Sequence, residues 1–227
     1  MILDGLSYKG SYHNINQDSF SIIEKNNTLA VIVSDGLGSL RKSHIGSMCI
    51  CKSVEEYISS NDFSVLYDNT PIEWITNIYK IWKEKVGSDI KDCYATFLLT
   101  VIIKDKLICI RLGDGFISLL FKDKCKVLFD KKEDYFINET DCFYEDLDLS
   151  KIEIYEGNAN DLICFLMSTD GFQIGDMSEK VIADFTSEFA TGNKGIDREE
   201  LLKDISDWFS KWEGTDDKTL VYCLGED

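Results

Sequence analysis

Apolar residues in this 227-residue chain gather in two kinds of run. Short, dense runs bounded by turn residues predict strands: 18–24 and 28–34 joined by a turn at Asn26-Asn27, then Thr96 to Ile103, Leu107 to Leu112, Phe116 to Phe121 and Lys126 to Phe129, then 152–156, 162–168 and Thr219 to Leu224. Longer stretches repeat at the helical interval. One runs from Ser43 to Ser59. A second places Trp74, Ile75, Ile78, Ile81 and Trp82 behind Pro71, which suits a first helical turn. A third places Leu201, Ile205, Trp208, Phe209 and Trp212 behind Asp197, a suitable N-cap. The stretch 96–129 reads as an antiparallel meander with tips at Lys104-Asp105-Lys106 and Lys122-Asp123-Lys124. Strands and helices are grouped rather than alternating, which argues for an α+β fold. No repeat or linker interrupts the pattern, so one domain over 1–227 is expected, with an acidic, aperiodic loop or excursion near 130–150.

Three of the strand-like runs stop at an aspartate followed by glycine: Asp35-Gly36, Asp114-Gly115 and Asp170-Gly171. A strand ending in this pair puts a carboxylate at the rim of a sheet, on a backbone that glycine lets bend. If those rims lie side by side, three like charges crowd together, at a cost that a divalent cation would remove. Asp4-Gly5 stands outside any apolar run and reads as a plain turn. Two further acidic elements precede strands: Asn16-Gln17-Asp18, and Asp216-Asp217 within Thr215 to Thr219.

The net charge of −17, from 24 basic and 41 acidic side chains, narrows the partners. Nucleic acid and anionic membrane surface are disfavoured. The eight cysteines form no C-x-x-C pair, and Cys109, Cys164 and Cys223 sit within apolar runs as small hydrophobes. No basic segment followed by an apolar stretch opens the sequence, and no apolar run is long enough for a membrane span. A cytoplasmic protein with reduced thiols is expected.

In this order, the motifs resemble those of the metal-dependent PP2C-like (PPM) serine/threonine phosphatases, bacterial type. His13-x-x-Asn16-Gln17-Asp18 resembles the family's opening Arg-x-x-Asn-Glu/Gln-Asp. Val33-Ser34-Asp35-Gly36-Leu37-Gly38 resembles its Asp-Gly-Met-Gly-Gly turn. Ala95-Thr96 with Leu112-Gly113-Asp114-Gly115 resembles its Gly-Thr-Thr and Val-Gly-Asp-Ser pair. Ser168-Thr169-Asp170-Gly171 and Asp216-Asp217-Lys218-Thr219 resemble Ser-Asp-Gly and Asp-Asn-x-Thr.

The resemblance implies a four-layer αββα sandwich, two antiparallel sheets flanked by helices, with the excursion near 130–150 as a short acidic flap. It implies a phosphoprotein phosphatase that uses two Mn²⁺ or Mg²⁺ ions and a metal-bridging hydroxide. Asp35 would bridge the ions, with the Gly36 carbonyl on one. Asp170 and Asp216 would hold the other, and Asp18 would serve the site directly or through water. Asp114 would serve a third, weaker position with Asp170, and Asp217 would stand behind the ligands. The implied partners are a phosphorylated protein and a cognate kinase, with the enzyme a monomer.

Two residues depart from the family pattern. His13 replaces a phosphate-binding arginine and would bind the substrate phosphate in its place, as a donor without the bidentate fork. Leu37 stands where animal members carry a histidine, which leaves the proton donor unassigned. These departures keep open a non-catalytic phosphate-sensing or partner-binding module. Because the motifs specify phosphoryl chemistry rather than what carries the phosphate, a hydrolase of small phosphorylated metabolites also stays open. His44 reads as structural or solvated. The acidic side chains of the flap, Glu133, Asp134, Glu139, Asp141, Glu145, Asp146 and Asp148, are expected either to be solvated or to favour basic substrate sequences.

Overall fold

The computed structural model describes residues 1–25, 27–129 and 140–225. Among the described residues, ten strands form two antiparallel sheets of five. The first sheet holds β1 (Ile2–Tyr8), β10 (Lys218–Leu224), β9 (Leu162–Ser168), β6 (Phe116–Phe121) and β7 (Cys125–Leu128), in that order. The second holds β2 (Asp18–Lys25), β3 (Thr28–Asp35), β4 (Phe97–Ile103), β5 (Lys106–Leu112) and β8 (Glu153–Asn158).

The central strands are apolar on both faces because both faces are covered. In β3, Ala30 and Ile32 pack with α1 (Ser43–Ser60) and α3 (Pro71–Val86), whereas Leu29, Val31 and Val33 pack between the sheets. In β10, Val221 and Cys223 join that central layer, while Leu220, Tyr222 and Leu224 pack with α4 (Glu179–Gly192) and α5 (Arg198–Phe209). Three apolar interfaces thus separate four layers, which is the αββα arrangement that the resemblance implies. A short α2 (Phe63–Asp68) buries Leu66 beside α1 and α3.

The helices begin where local chemistry starts them. Thr70 and Glu73 form a capping box at α3, with Pro71 in its first turn. The Asp197 side chain accepts hydrogen bonds from the backbone N–H groups of Glu199 and Glu200 at α5.

Three expectations need correction. The stretch 96–129 is not one meander: β4–β5 and β6–β7 are hairpins in different sheets, and the chain crosses between them at Gly113-Asp114-Gly115. Gly113 makes the crossing at φ 122°, and a Cβ there would lie 2.6 Å from Thr96. Asp4-Gly5 is not a turn but the middle of β1, where Gly5 pairs with Val221 and its missing side chain leaves room for the Phe20 ring. The expected bending role of the other glycines also fails. Gly36, Gly115 and Gly171 need no positive φ; a Cβ on them would lie 2.5, 2.3 and 1.9 Å from the backbone of Ser43, Ser168 and Asp217. Close approach, not curvature, selects glycine after each of these aspartates.

Of the acidic excursion, Glu133, Asp134 and Glu139 lie outside the described residues, as does Asn26 of the first expected turn. The returning limb is tied to the sandwich by the Phe143 N–H, which donates to the Ala95 carbonyl at 2.9 Å. Glu145 is committed locally, pairing with Lys91 at 3.4 Å and accepting from the Tyr94 hydroxyl. His44 lies half-buried in the first turn of α1. All eight cysteines are unpaired thiols, and burial pushes those of Cys109 and Cys223 up to about 12. No helix among the described residues is long and apolar enough to cross a membrane.

Candidate metal centre

Strand pairing brings the acidic residues to one end of the sandwich, between the sheets. Asp18 opens β2 and Asp35 closes β3, so the antiparallel ladder sets them opposite each other. Asp114 sits on the crossing from β5 to β6, Asp170 follows β9, and Asp216-Asp217 precede β10. Carboxylate oxygens of Asp35, Asp114 and Asp170 all lie within 4.8 Å of one another. Residues separated by more than a hundred positions in the chain are therefore in mutual reach.

The surroundings hold these groups firmly. The Asp35 N–H donates to Thr96 Oγ1 at 2.8 Å, and its carbonyl accepts from the Thr96 N–H at 2.8 Å. The Gly36 N–H donates to the Gln17 carbonyl at 3.1 Å, while the Gly36 carbonyl accepts no hydrogen bond from a described residue. Asp18 is held by its Oδ2, which accepts from the hydroxyls of Thr169 and Thr219, each at 2.8 Å. Thr169 Oγ1 accepts in turn from the Thr219 N–H at 3.0 Å. Thr140 donates to Asp114 Oδ2 at 2.7 Å.

The electrostatics mark the cluster as uncompensated. Burial, reinforced by the charges of Asp18 and Asp170, raises the Asp35 carboxyl well above its usual range. Burial pushes Asp170 up to about 7, with Asp114, Asp216 and Asp18 adding to the effect. Burial likewise pushes Asp18 up to about 6, although the Thr169 and Thr219 hydroxyls oppose the shift. Asp18 Oδ1 and Asp170 Oδ1 are buried without any hydrogen-bond partner. No lysine or arginine among the described residues pairs with Asp18, Asp35, Asp114 or Asp170. Buried carboxylates with idle oxygens and no organic counter-ion form a donor set that suits hard divalent cations. The residues present fit such ions.

Asp216 and Asp217 divide their tasks. Asp217 is buried and fully engaged: Oδ1 accepts from the Gly10 N–H at 2.7 Å, and Oδ2 accepts from the Gln17 N–H at 2.8 Å. Asp216 keeps 54% of its side chain exposed and lies near enough to Asp170 to raise it. His13 Nδ1 stands 3.2 Å from Asp217 Oδ2 and 3.6 Å from Asp216 Oδ1. Its Nε2 is buried without a partner, against Gly38, where a Cβ would lie 3.0 Å away. His13 thus reaches the rim of the centre with both ring nitrogens turned into the protein.

Asp18, Asp35, Gly36, Asp114, Asp170, Asp216 and His13, singled out in the sequence, all meet at this end of the fold. Thr169, Thr219 and Thr140, which hold the carboxylates, were not singled out. Thr169 lies beside Asp170 and Thr219 near Asp217, but the partner of each is Asp18, and a hydroxyl's partner cannot be read from spacing.

A two-sheet α+β sandwich with converging carboxylates at its end defines a class, and comparison with known proteins agrees. The family model for Protein phosphatase 2C matches residues 11–210. The chain belongs to that family. A curated relative from Mycoplasma genitalium, named "Putative protein phosphatase", is 24% identical over 134 residues, which is 55% of this chain. The match spans about half of that relative's length, 52%. Among solved structures, the serine/threonine phosphatase Stp1 from Staphylococcus aureus superposes with a TM-score of 0.74 at 11% identity, covering 100% of this chain and 96% of that one. RsbX in complex with magnesium superposes with a TM-score of 0.62 at 17% identity, covering 98% of each chain. At such identities the superpositions speak for the fold.

Proposed function

We propose that this chain is a metal-dependent phosphoprotein phosphatase that hydrolyses phosphoserine or phosphothreonine. The observation that carries the proposal is the meeting of Asp35, Asp114 and Asp170 within 4.8 Å, half-buried and without a cationic partner among the described residues. In this reading Asp35 and the Gly36 carbonyl would help to hold two Mn²⁺ or Mg²⁺ ions. Asp170 and Asp216 would hold one of the two, Asp18 would act through its idle Oδ1, and Asp114 with Asp170 would hold a third, weaker position. Such ions, when bound, would supply an activated water and charge neutralisation for phosphoryl transfer. The protein's own part is to fix the carboxylates before the substrate arrives. Thr169, Thr219, Thr96 and Thr140 do so by hydrogen bonds to the side chains or backbone of those aspartates.

The expected partners are a phosphorylated protein and its cognate kinase, with the enzyme acting as a monomer in the cytoplasm and 1–227 as one catalytic domain. Turnover of p-nitrophenyl phosphate and of a phosphoserine peptide, with added Mn²⁺ and with chelator, tests the reading. Metal-dependent release of phosphate from both is expected. A folded protein that hydrolyses neither in Mn²⁺, Mg²⁺ or Co²⁺ overturns it.

One observation favours a second reading. His13 directs Nδ1 to Asp217 and buries Nε2, and Leu37 offers no proton, so the rim lacks two polar groups that phosphate chemistry could use. A non-catalytic phosphate-sensing module would bind a phosphopeptide in the presence of metal without consuming it. Hydrolysis of small phosphorylated metabolites, with no turnover of peptide, would instead identify a metabolite phosphatase.

A further inference from the structure

Strand β2 is the outermost strand of its sheet, paired with β3 on one side and with no described strand on the other. Backbone groups of Ser19 to Ile23 make no hydrogen bond outside the β3 ladder among the described residues. Free edges are commonly blunted by proline, bulges or charge. Past Asp18 this one has none of these before Glu24, and the ladder to β3 is continuous from Asp18 to Lys25. A cleft of about 340 Å³ lies along the same edge, between β2 and α1. Asp18, Asn16, Phe20, Met48, Lys52 and Glu55 are among its lining residues. Asp18 therefore belongs both to the carboxylate cluster and to the cleft. Met48 keeps 39% of its surface exposed, and Lys52 is exposed with no ion pair among the described residues. Glu55, by contrast, accepts the Ser21 hydroxyl at 2.6 Å.

We propose that the free edge of β2 and this cleft form the docking site for an extended segment of the phosphoprotein substrate, which adds a strand to the sheet. The proposal rests on the phosphatase reading and names how its substrate is held. An extended chain supplies the alternating N–H and C=O groups that an open strand edge lacks, whatever its sequence. Because the edge begins at Asp18, a segment paired along it carries one side chain over the carboxylate centre and lays its neighbours against α1. Met48 gives those neighbours an adaptable apolar contact. Lys52, a free cation in a chain of net charge −17, favours an acidic residue there. A second copy of this chain is the competing occupant, since two open edges can pair.

The test uses a fluorescein-labelled phosphoserine peptide with leucine and glutamate beside the phosphoserine, read by anisotropy on the full chain with Mn²⁺. The proposal expects methylation of alternate peptide amides to weaken binding to the wild type at least tenfold. It expects Met48→Ser with Lys52→Glu to do the same, while p-nitrophenyl phosphate turnover stays within twofold. Equal binding of the N-methylated peptide overturns the edge pairing, and does so on unaltered protein. Parallel loss of both activities in the variant also overturns it. So does a dimer in sedimentation that the peptide cannot dissociate. If the wild type hydrolyses nothing, the phosphatase reading fails, and the anisotropy result still decides the docking site.

Discussion

Asp18 and Asp35 stand opposite each other as the first pair of the β2–β3 ladder, two acidic side chains with no lysine or arginine among the described residues paired to either. Two threonine hydroxyls occupy one oxygen of Asp18, and its other oxygen is buried without a partner. A sheet that needed only to fold would not set such a pair there. Removing charge at this point should therefore separate stability from activity. Asp35→Asn and Asp170→Asn should each lower metal-dependent turnover by at least a hundredfold. Each should also make the metal-free protein more stable, by roughly 1–4 kcal/mol near pH 8, because a buried repelling charge is gone. Chemical denaturation with and without chelator checks this. Wild-type turnover in either variant would remove Asp35 or Asp170 from the site.

The same physics fixes a pH dependence. Asp18 is pushed up to about 6 and Asp170 to about 7, from an ordinary value of 3.8. A carboxyl raised in the folded state favours folding while it is protonated. Its contribution is complete below the unfolded value and is lost as pH rises through the folded one. Melting temperatures of the metal-free protein, referenced to Asp170→Asn, should thus fall as pH rises from about 4 to about 8. Saturating Mn²⁺ should flatten or invert that trend, since the cations stabilise the ionised forms. A difference between wild type and variant that does not change with pH would contradict the assignment.

Much of this architecture is legible in the chain, and for definite reasons. Both-faced burial makes β3, β4 and β10 read as dense apolar runs, and the spacing behind Pro71 and Asp197 gives α3 and α5. β1 escapes notice because Gly5 interrupts it and only Leu3 is deeply buried, so it lacks an apolar run. The crossing at Gly113 to Gly115 reads as a hairpin turn, since a change of sheet and a turn within one sheet use the same residues. Of the centre, the carboxylates can be found because each ends a strand. Their support cannot be found so easily: the Thr169 and Thr219 hydroxyls meet Asp18 only after two sheets pack. His13 shows the converse limit, since its place before Asp18 suggests a phosphate donor, yet the fold turns both ring nitrogens inward.

Asp217 should behave opposite to its neighbours in the cluster. Its carboxylate accepts the N–H groups of Gly10 and Gln17 and faces His13 Nδ1, so it fastens the 9–17 loop to the start of β10. Asp217→Ala leaves those donors unpaired, one of them buried, and should destabilise the protein by about 3 kcal/mol. Asp217→Asn keeps one acceptor oxygen but turns an amide N–H toward another donor, and should cost about half as much. Urea denaturation compares the two with Asp35→Asn. A stabilising effect of Asp217→Ala would place Asp217 with the repelling carboxylates instead.

Gly171 offers a test of how closely the two halves of the site are pressed together. A Cβ at this position would lie 1.9 Å from the Asp217 carbonyl oxygen, a contact between two main chains that no side-chain rotation relieves. To admit it, the turn carrying Asp170 must move away from the turn carrying Asp216, each belonging to the strand it flanks. Gly171→Ala should therefore destabilise the fold by about 3 kcal/mol. It should also weaken Mn²⁺ binding, because Asp170 and Asp216 no longer approach one another. Gly192 provides the control: it ends α4, nothing lies within 4 Å of a Cβ there, and alanine is the better helix former. Gly192→Ala should leave metal affinity unchanged and stability equal or slightly higher. Isothermal titration with Mn²⁺ and thermal melts on both variants make the comparison. Wild-type metal affinity in Gly171→Ala would show that the Asp170 and Asp216 turns need not touch for the centre to form.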